Sequence, residues 1–112
     1  MKKIEVDERI QADEALHSRV LAAVSELERI LGRSAPVVSA RFDQVEDNDR
    51  RQLIRLTLSD FTGDVVADFA PGELTDDSQM DDRLHRLWGD LLQVRSAKQV
   101  EKLNELVKGL GD

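Results

Sequence analysis

Residues 13–31 read DEALHSRVLAAVSELERIL, and Leu16, Val20, Ala23, Leu27 and Ile30 recur in them at steps of four and three, with Val24 and Leu31 widening the stripe. Side chains at i, i+3, i+4 and i+7 stack on one side of a 3.6-residue helix, so this run predicts an amphipathic helix. Asp13 and Glu14 suit its first turn, where an acceptor and a negative charge are favoured, and Gly32 is placed to end it. Ser18, Ala22, Ser25, Glu26 and Arg29 fall on the opposite side. One buried face and one wet face call for a sheet beneath the helix.

Outward from this helix, Ile4 and Val6 alternate with polar neighbours in a short first strand, and residues 7–12 form a turn in which Ile10 and Ala12 pack under the helix. After Ser34-Ala35-Pro36, Val38, Ala40 and Phe42 alternate with Ser39, Arg41 and Asp43, the pattern of a half-buried strand. Residues 46–50, Glu-Asp-Asn-Asp-Arg, make a polar turn. Ile54, Leu56 and Leu58 then face inward, a turn ends at Gly63, and Val65, Ala67 and Phe69 alternate until Pro71-Gly72 stops the strand. A second long helix starts at Asp76, which has capping-box spacing to Gln79. Its buried stripe is Met80, Leu84, Leu87, Trp88, Leu91 and Val94.

That stripe is not continued at Lys98 and Glu101, whereas Ser96 and Gln99 repeat the capping spacing and Val100, Leu103, Val107 and Leu110 begin a new stripe. The pattern predicts a break near Ser96 and a separate tail helix ending at Gly109. The expected fold is therefore α+β: a β-α-β-β-β-α four-stranded mixed sheet with two helices on one face, plus a short C-terminal helix. Residues 1–95 form the domain and 96–112 the helical tail. The first two strands, joined by a helix, should be parallel with a right-handed crossover.

Composition narrows function. The chain has 112 residues, enough for one core, and no cysteine for disulfides or thiolate metal sites. No apolar run approaches the roughly 20 residues of a membrane span, so a cytoplasmic protein without a membrane partner is expected. Twenty-three acidic against 16 basic side chains give a net charge of −7, which opposes broad adhesion to nucleic acid.

Catalytic patterns are sparse, and no cofactor, metal site or small-molecule substrate is assigned. His85 follows Asp81 by four residues, a spacing that lets carboxylate and imidazole share a helix face; an ordinary ion pair explains it without a metal. The Asp47-Asn48-Asp49 cluster lacks the glycine and terminal glutamate of an EF-hand loop. Ser39, Arg41, Arg55, Thr57 and Asp68 should line the uncovered sheet face as solvated pairs, and Trp88 should anchor the core.

The element order and residues 4–31 resemble the ribosome hibernation-promoting factors, also called the sigma-54 modulation family. Ile4-Glu5-Val6, Asp13-Glu14-Ala15-Leu16 and Leu27-Glu28-Arg29-Ile30 look like that family's first strand, helix start and helix end, and Leu84, Leu87, Trp88 and Leu91 match its second helix. The resemblance covers residues 2–95 and implies a non-catalytic protein that binds rRNA of the small ribosomal subunit and modulates translation. It also implies lysines and arginines on the outer helix faces, but Ala23, Glu26, Asp90 and Gln93 stand at the matching positions. The family's Gly-Gly hairpin is replaced by Asp60-Phe61-Thr62-Gly63, the aromatic motif opening its second helix is missing, and residues 74–82 look like an acidic insertion. Any rRNA contact is therefore weakened and expected at Arg83, Arg86 and Arg95. The alternative is an acidic protein-interaction or homodimerisation module on the same fold, dimerising through Val100, Leu103, Val107 and Leu110. A metal-dependent activity at Asp81 and His85 is the remote third reading.

Overall fold

The computed structural model describes residues 1–110, with side chains through Lys108. The elements are β1 (Lys3–Val6), α1 (Glu8–Gln11), α2 (Glu14–Leu31), a 3-10 segment (Gly32–Val37), β2 (Ser39–Glu46), β3 (Gln52–Asp60), β4 (Gly63–Phe69), α3 (Pro71–Thr75) and α4 (Asp77–Leu110). The class is α+β, with one four-stranded mixed sheet in the order β1-β2-β3-β4. β1 runs parallel to β2 with Ile4 beside Ala40 and Val6 beside Phe42. The β2–β3 and β3–β4 pairs are antiparallel, with Phe42 opposite Leu56 and Leu56 opposite Ala67.

The period-2 pattern becomes two unlike sheet faces. Ala40, Phe42, Ile54, Leu56, Leu58 and Phe69 are buried and form one core with Val20, Ala23, Val24, Leu27 and Leu31 of α2 and Leu84, Leu87 and Leu91 of α4. The other face carries solvated pairs, as the alternation indicates: Arg55 Nε donates to Asp68 Oδ1 at 2.8 Å, and Arg41 pairs with Asp43 at 3.0 Å. Asp13 caps α2 by accepting from the Leu16 amide, and Gly32 follows its last turn at φ +52°.

Several details differ from the sequence reading. Residues 8–11 wind into a short helix because Asp7 accepts from the Arg9 amide as a cap; Ile10 is buried as expected, but Ala12 is exposed. Residues 71–75 form α3, with Pro71 at its first position and the Glu73 carboxylate accepting from the Ala70 amide at 2.9 Å. α3 buries Leu74, a core residue hidden within what reads as an acidic stretch. Leu16, Ile30, Val65, Ala67 and Trp88 are only partly buried at the edge of the core.

The largest correction concerns the tail. There is no break near Ser96 and no separate C-terminal helix: α4 is one helix of 34 residues, Asp77–Leu110, and the boundary expected at 95/96 falls inside it. Ser96-Ala97-Lys98-Gln99 contains no glycine or proline, and alanine, lysine and glutamine are good helix formers, so nothing terminates the i to i−4 ladder. The apolar stripe changes direction at this point; the backbone does not. At 1.5 Å per residue α4 is about 51 Å long, in a molecule of 59 × 33 × 25 Å.

Candidate functional site

The candidate surface runs from the β3–β4 turn along the outer half of α4. β3 ends at Asp60 and β4 begins at Gly63, leaving Phe61-Thr62 at the tip. Asp60 Oδ1 accepts from the Thr62 amide at 2.7 Å and from the Thr62 hydroxyl. Its other oxygen accepts from Arg95 Nη2 at 2.8 Å and Nε at 3.2 Å. The Asp60 side chain is 0% exposed and that of Arg95 21%. Burial pushes the Asp60 carboxyl up, but the Thr62 and Arg95 donors outweigh it and hold it below its ordinary value. The Arg95 guanidinium also lies 5.4 Å from the Trp88 ring centre and 5.9 Å from that of Phe61.

Arg95 is therefore committed to internal contacts. Arg83 is similar: Nη1 donates to Glu73 Oε2 at 2.6 Å, and its guanidinium lies 4.4 Å above the Phe69 ring. Of the three arginines singled out for rRNA, Arg86 is the exposed one. Asp90, one turn further along the same helix, lines the same shallow depression beside it. The structure does not assemble the three into one free basic patch.

Asp81 and His85 do come together, with His85 Nε2 3.6 Å from Asp81 Oδ1. Asp81 also accepts from Arg29 Nη2 at 3.1 Å, and the same guanidinium pairs with Glu26, so the network joins α2 to α4. Arg29 is the first cause that lowers the Glu26 carboxyl. Asp81 is raised, first by its hydrogen bond to Glu26 and then by partial burial. Among the described residues, no group of three or more His, Asp or Glu side chains is arranged to hold a metal ion. No helix of the described residues is long and apolar enough to cross a membrane.

From residue 96 to residue 108 every side chain of the helix is exposed. Val100 is 56% exposed, Leu103 61%, Leu106 58% and Val107 66%, and the half-exposed Leu92 stands at the head of the same face. Leu110, the fourth residue of the expected dimer stripe, has its side chain outside the described residues. Leu106 extends the stripe beyond the four expected residues, and its i+3 step from Leu103 is legible in the sequence. Phe61 is 82% exposed at the turn tip, and its flank with Thr62, Lys98, Lys102 and Glu105 forms an open groove of about 520 Å³.

At about 100° per residue, the domain-facing stripe of Leu84, Leu87 and Leu91 and the tail stripe of Leu103, Leu106 and Val107 point roughly 120° apart around α4. The charged residues Lys98, Glu101, Lys102 and Glu105 continue the side that rests on the sheet. A straight helix cannot bring the bare stripe back to its own core. No protein-family model, characterised protein or solved structure significantly matches this chain.

Proposed function

We propose that this chain is a non-catalytic interaction protein whose docking element is the projecting half of α4. The observation that carries this reading is the row Val100, Leu103, Leu106 and Val107, each more than half exposed on a helix turned away from its own domain. A helical stretch of about a dozen residues gains little stability in water without packing on one face, and a continuous apolar stripe favours a partner. Much of the titratable chemistry supports the fold instead: Arg83, Arg95, Glu73 and Asp60 hold the hairpin and α3 against α4, while Glu26, Arg29 and Asp81 tie α2 to α4.

Amide exchange tests the reading. In dilute protein the amides of residues 98–108 should exchange orders of magnitude faster than those of β3, and should slow as the stripe is covered. Glu at both Leu103 and Leu106 should remove that slowing and leave β3 unchanged. Tail amides as slow as β3 at the lowest concentration would overturn the reading, because the domain itself would then hold the tail.

A second reading keeps the small ribosomal subunit as partner, and its support is the mixed sheet with β1 parallel to β2, which agrees with the order on which the hibernation-factor resemblance rests. Charge reversal at Arg83 or Arg95 would break internal pairs and confound binding with folding. Arg86→Glu and Asp90→Lys alter exposed side chains. If rRNA phosphate is the ligand, the first should weaken and the second strengthen co-sedimentation with small subunits at low salt. Equal sedimentation of both variants would remove this surface from the contact.

A further inference from the structure

Resting on the reading that the bare face of α4 docks a protein, we propose that its occupant is a second copy of this chain, laid antiparallel along residues 95–107. The first argument is charge. Residues 96–112 carry three lysines and three acidic side chains, so the whole formal charge of −7 resides in residues 1–95. Contact between two bodies brings like charge together, whereas contact between two tails does not. Antiparallel tails also place the acidic bodies at opposite ends of the paired helices. A parallel pair would set them side by side, where repulsion between multiply charged bodies opposes association.

The second argument is shape. Along the stripe, Leu92, Ser96, Gln99, Leu103 and Leu106 follow one another at steps of four and three, the rhythm of a two-helix seam. Its near half is interrupted by the smaller or polar Ser96 and Gln99, and its far half carries Leu103 and Leu106. An antiparallel pair centred near residue 101 sets Ser96 of one copy against Leu106 of the other, and Gln99 against Leu103. At these two layers large side chains then meet small or flexible ones, the arrangement that lets facing layers interdigitate. A parallel pair would place Ser96 against Ser96 and Gln99 against Gln99, burying polar pairs in the centre. The face is self-complementary in the antiparallel sense, as a two-fold interface requires.

Two measurements on the full chain test this. Sedimentation equilibrium across low to high micromolar concentration should show a monomer–dimer equilibrium, since a seam of about four turns lies at the small end of stable interfaces. Leu103→Glu and, independently, Leu106→Glu should each raise the dissociation constant at least about tenfold with unchanged circular dichroism. Orientation is read separately. The chain has no cysteine, so Asp90→Cys introduces a single labelling site on an exposed position away from the stripe.

In the antiparallel dimer residue 90 lies about 22 residues along the axis from its counterpart on the outer side of each helix, and two nitroxides there should be about 40 Å apart by pulsed electron resonance. A parallel dimer would bring them within roughly 30 Å. A dimer with the short distance overturns the proposed arrangement and leaves the docking reading standing. A chain that stays monomeric at high micromolar concentration overturns the second copy as occupant. The docking reading fails only if the tail amides are already as slow as β3 in the monomer.

Discussion

Arg95, in the middle of α4, closes on the buried Asp60 at the end of β3 with Nη2 2.8 Å from Oδ2. Burial along α4 ends at this contact. N-terminal to it, α4 is an apolar wall of the core; C-terminal to it, the helix has left the body and its stripe has turned away. The same pair fixes the Phe61-Thr62 turn, because Thr62 bonds the other carboxylate oxygen. One ion pair thus positions both the exposed Phe61 and the start of the projecting segment.

Removing one partner of this pair leaves a largely buried charge unmatched. Asp60→Ala should destabilise the chain by about 2–4 kcal/mol, through the stranded Arg95 guanidinium and the lost Thr62 bonds. Arg95→Lys keeps the charge but loses the planar contact with Trp88, and should cost about 1–2 kcal/mol. Urea unfolding of both variants checks this. A loss under about 0.5 kcal/mol for Asp60→Ala, the range of ordinary surface sites, would show that the pair does not support the turn.

Gly63 is the second constraint at this corner. Its φ is +156°, and a Cβ there would sit 3.0 Å from Val94 Cγ1. Gly63→Ala should therefore cost about 1–3 kcal/mol, combining backbone strain with a crowded contact. Val94→Ala in the same chain should recover only part of the loss, because the strain in φ remains. Complete recovery on thermal unfolding would assign the whole effect to the side-chain contact.

Two leucines separate core from docking face. Leu27 is 1% exposed and Leu103 61%. Leu27→Ala should cost about 2–5 kcal/mol. Leu103→Ala, measured at the lowest workable concentration, should change stability by no more than about 0.5 kcal/mol. A large loss for Leu103→Ala in the monomer would mean that the tail packs on its own domain.

The sequence was most legible where one periodicity persisted. The stripe from Val20 to Leu31 and the alternation through Val38, Ala40 and Phe42 announce α2 and β2, and their burial follows. The reading failed where two signals competed. Ser96 and Gln99 have capping spacing, but a cap needs free amides, and those amides already bond to carbonyls one turn back. A change of apolar phase therefore mimics a change of element. Leu74 was obscured by the acids around it, and α3 became evident only once Glu73 was seen to bond the Ala70 amide. For the candidate rRNA residues, sequence position could not reveal that Arg83 and Arg95 are held by Glu73 and Asp60, 10 and 35 residues away.

The electrostatics of Asp60 also predict how stability responds to acid. Its folded carboxyl lies below the ordinary value of 3.8, so as pH falls the unfolded chain takes up this proton first. The stabilisation from Asp60 is thus fully present above the unfolded value and is lost as pH falls through the folded one. Asp81 has the opposite sign: its folded carboxyl is raised, so the folded chain takes the proton first and this group favours folding less as pH rises past 3.8. Unfolding free energies measured from pH 7 downward should therefore separate the two positions. Asp60→Asn should be less stable than the wild type at pH 7, with the gap narrowing as pH falls below the ordinary carboxyl value of 3.8. Asp81→Asn, which cannot bear the charge at any pH, should compare most favourably with the wild type near neutrality and lose that relative advantage in acid. A gap for Asp60→Asn that stays constant from pH 7 to pH 2.5 would show that its carboxylate charge does not stabilise the fold, leaving the neutral hydrogen bonds to Thr62 to account for its burial.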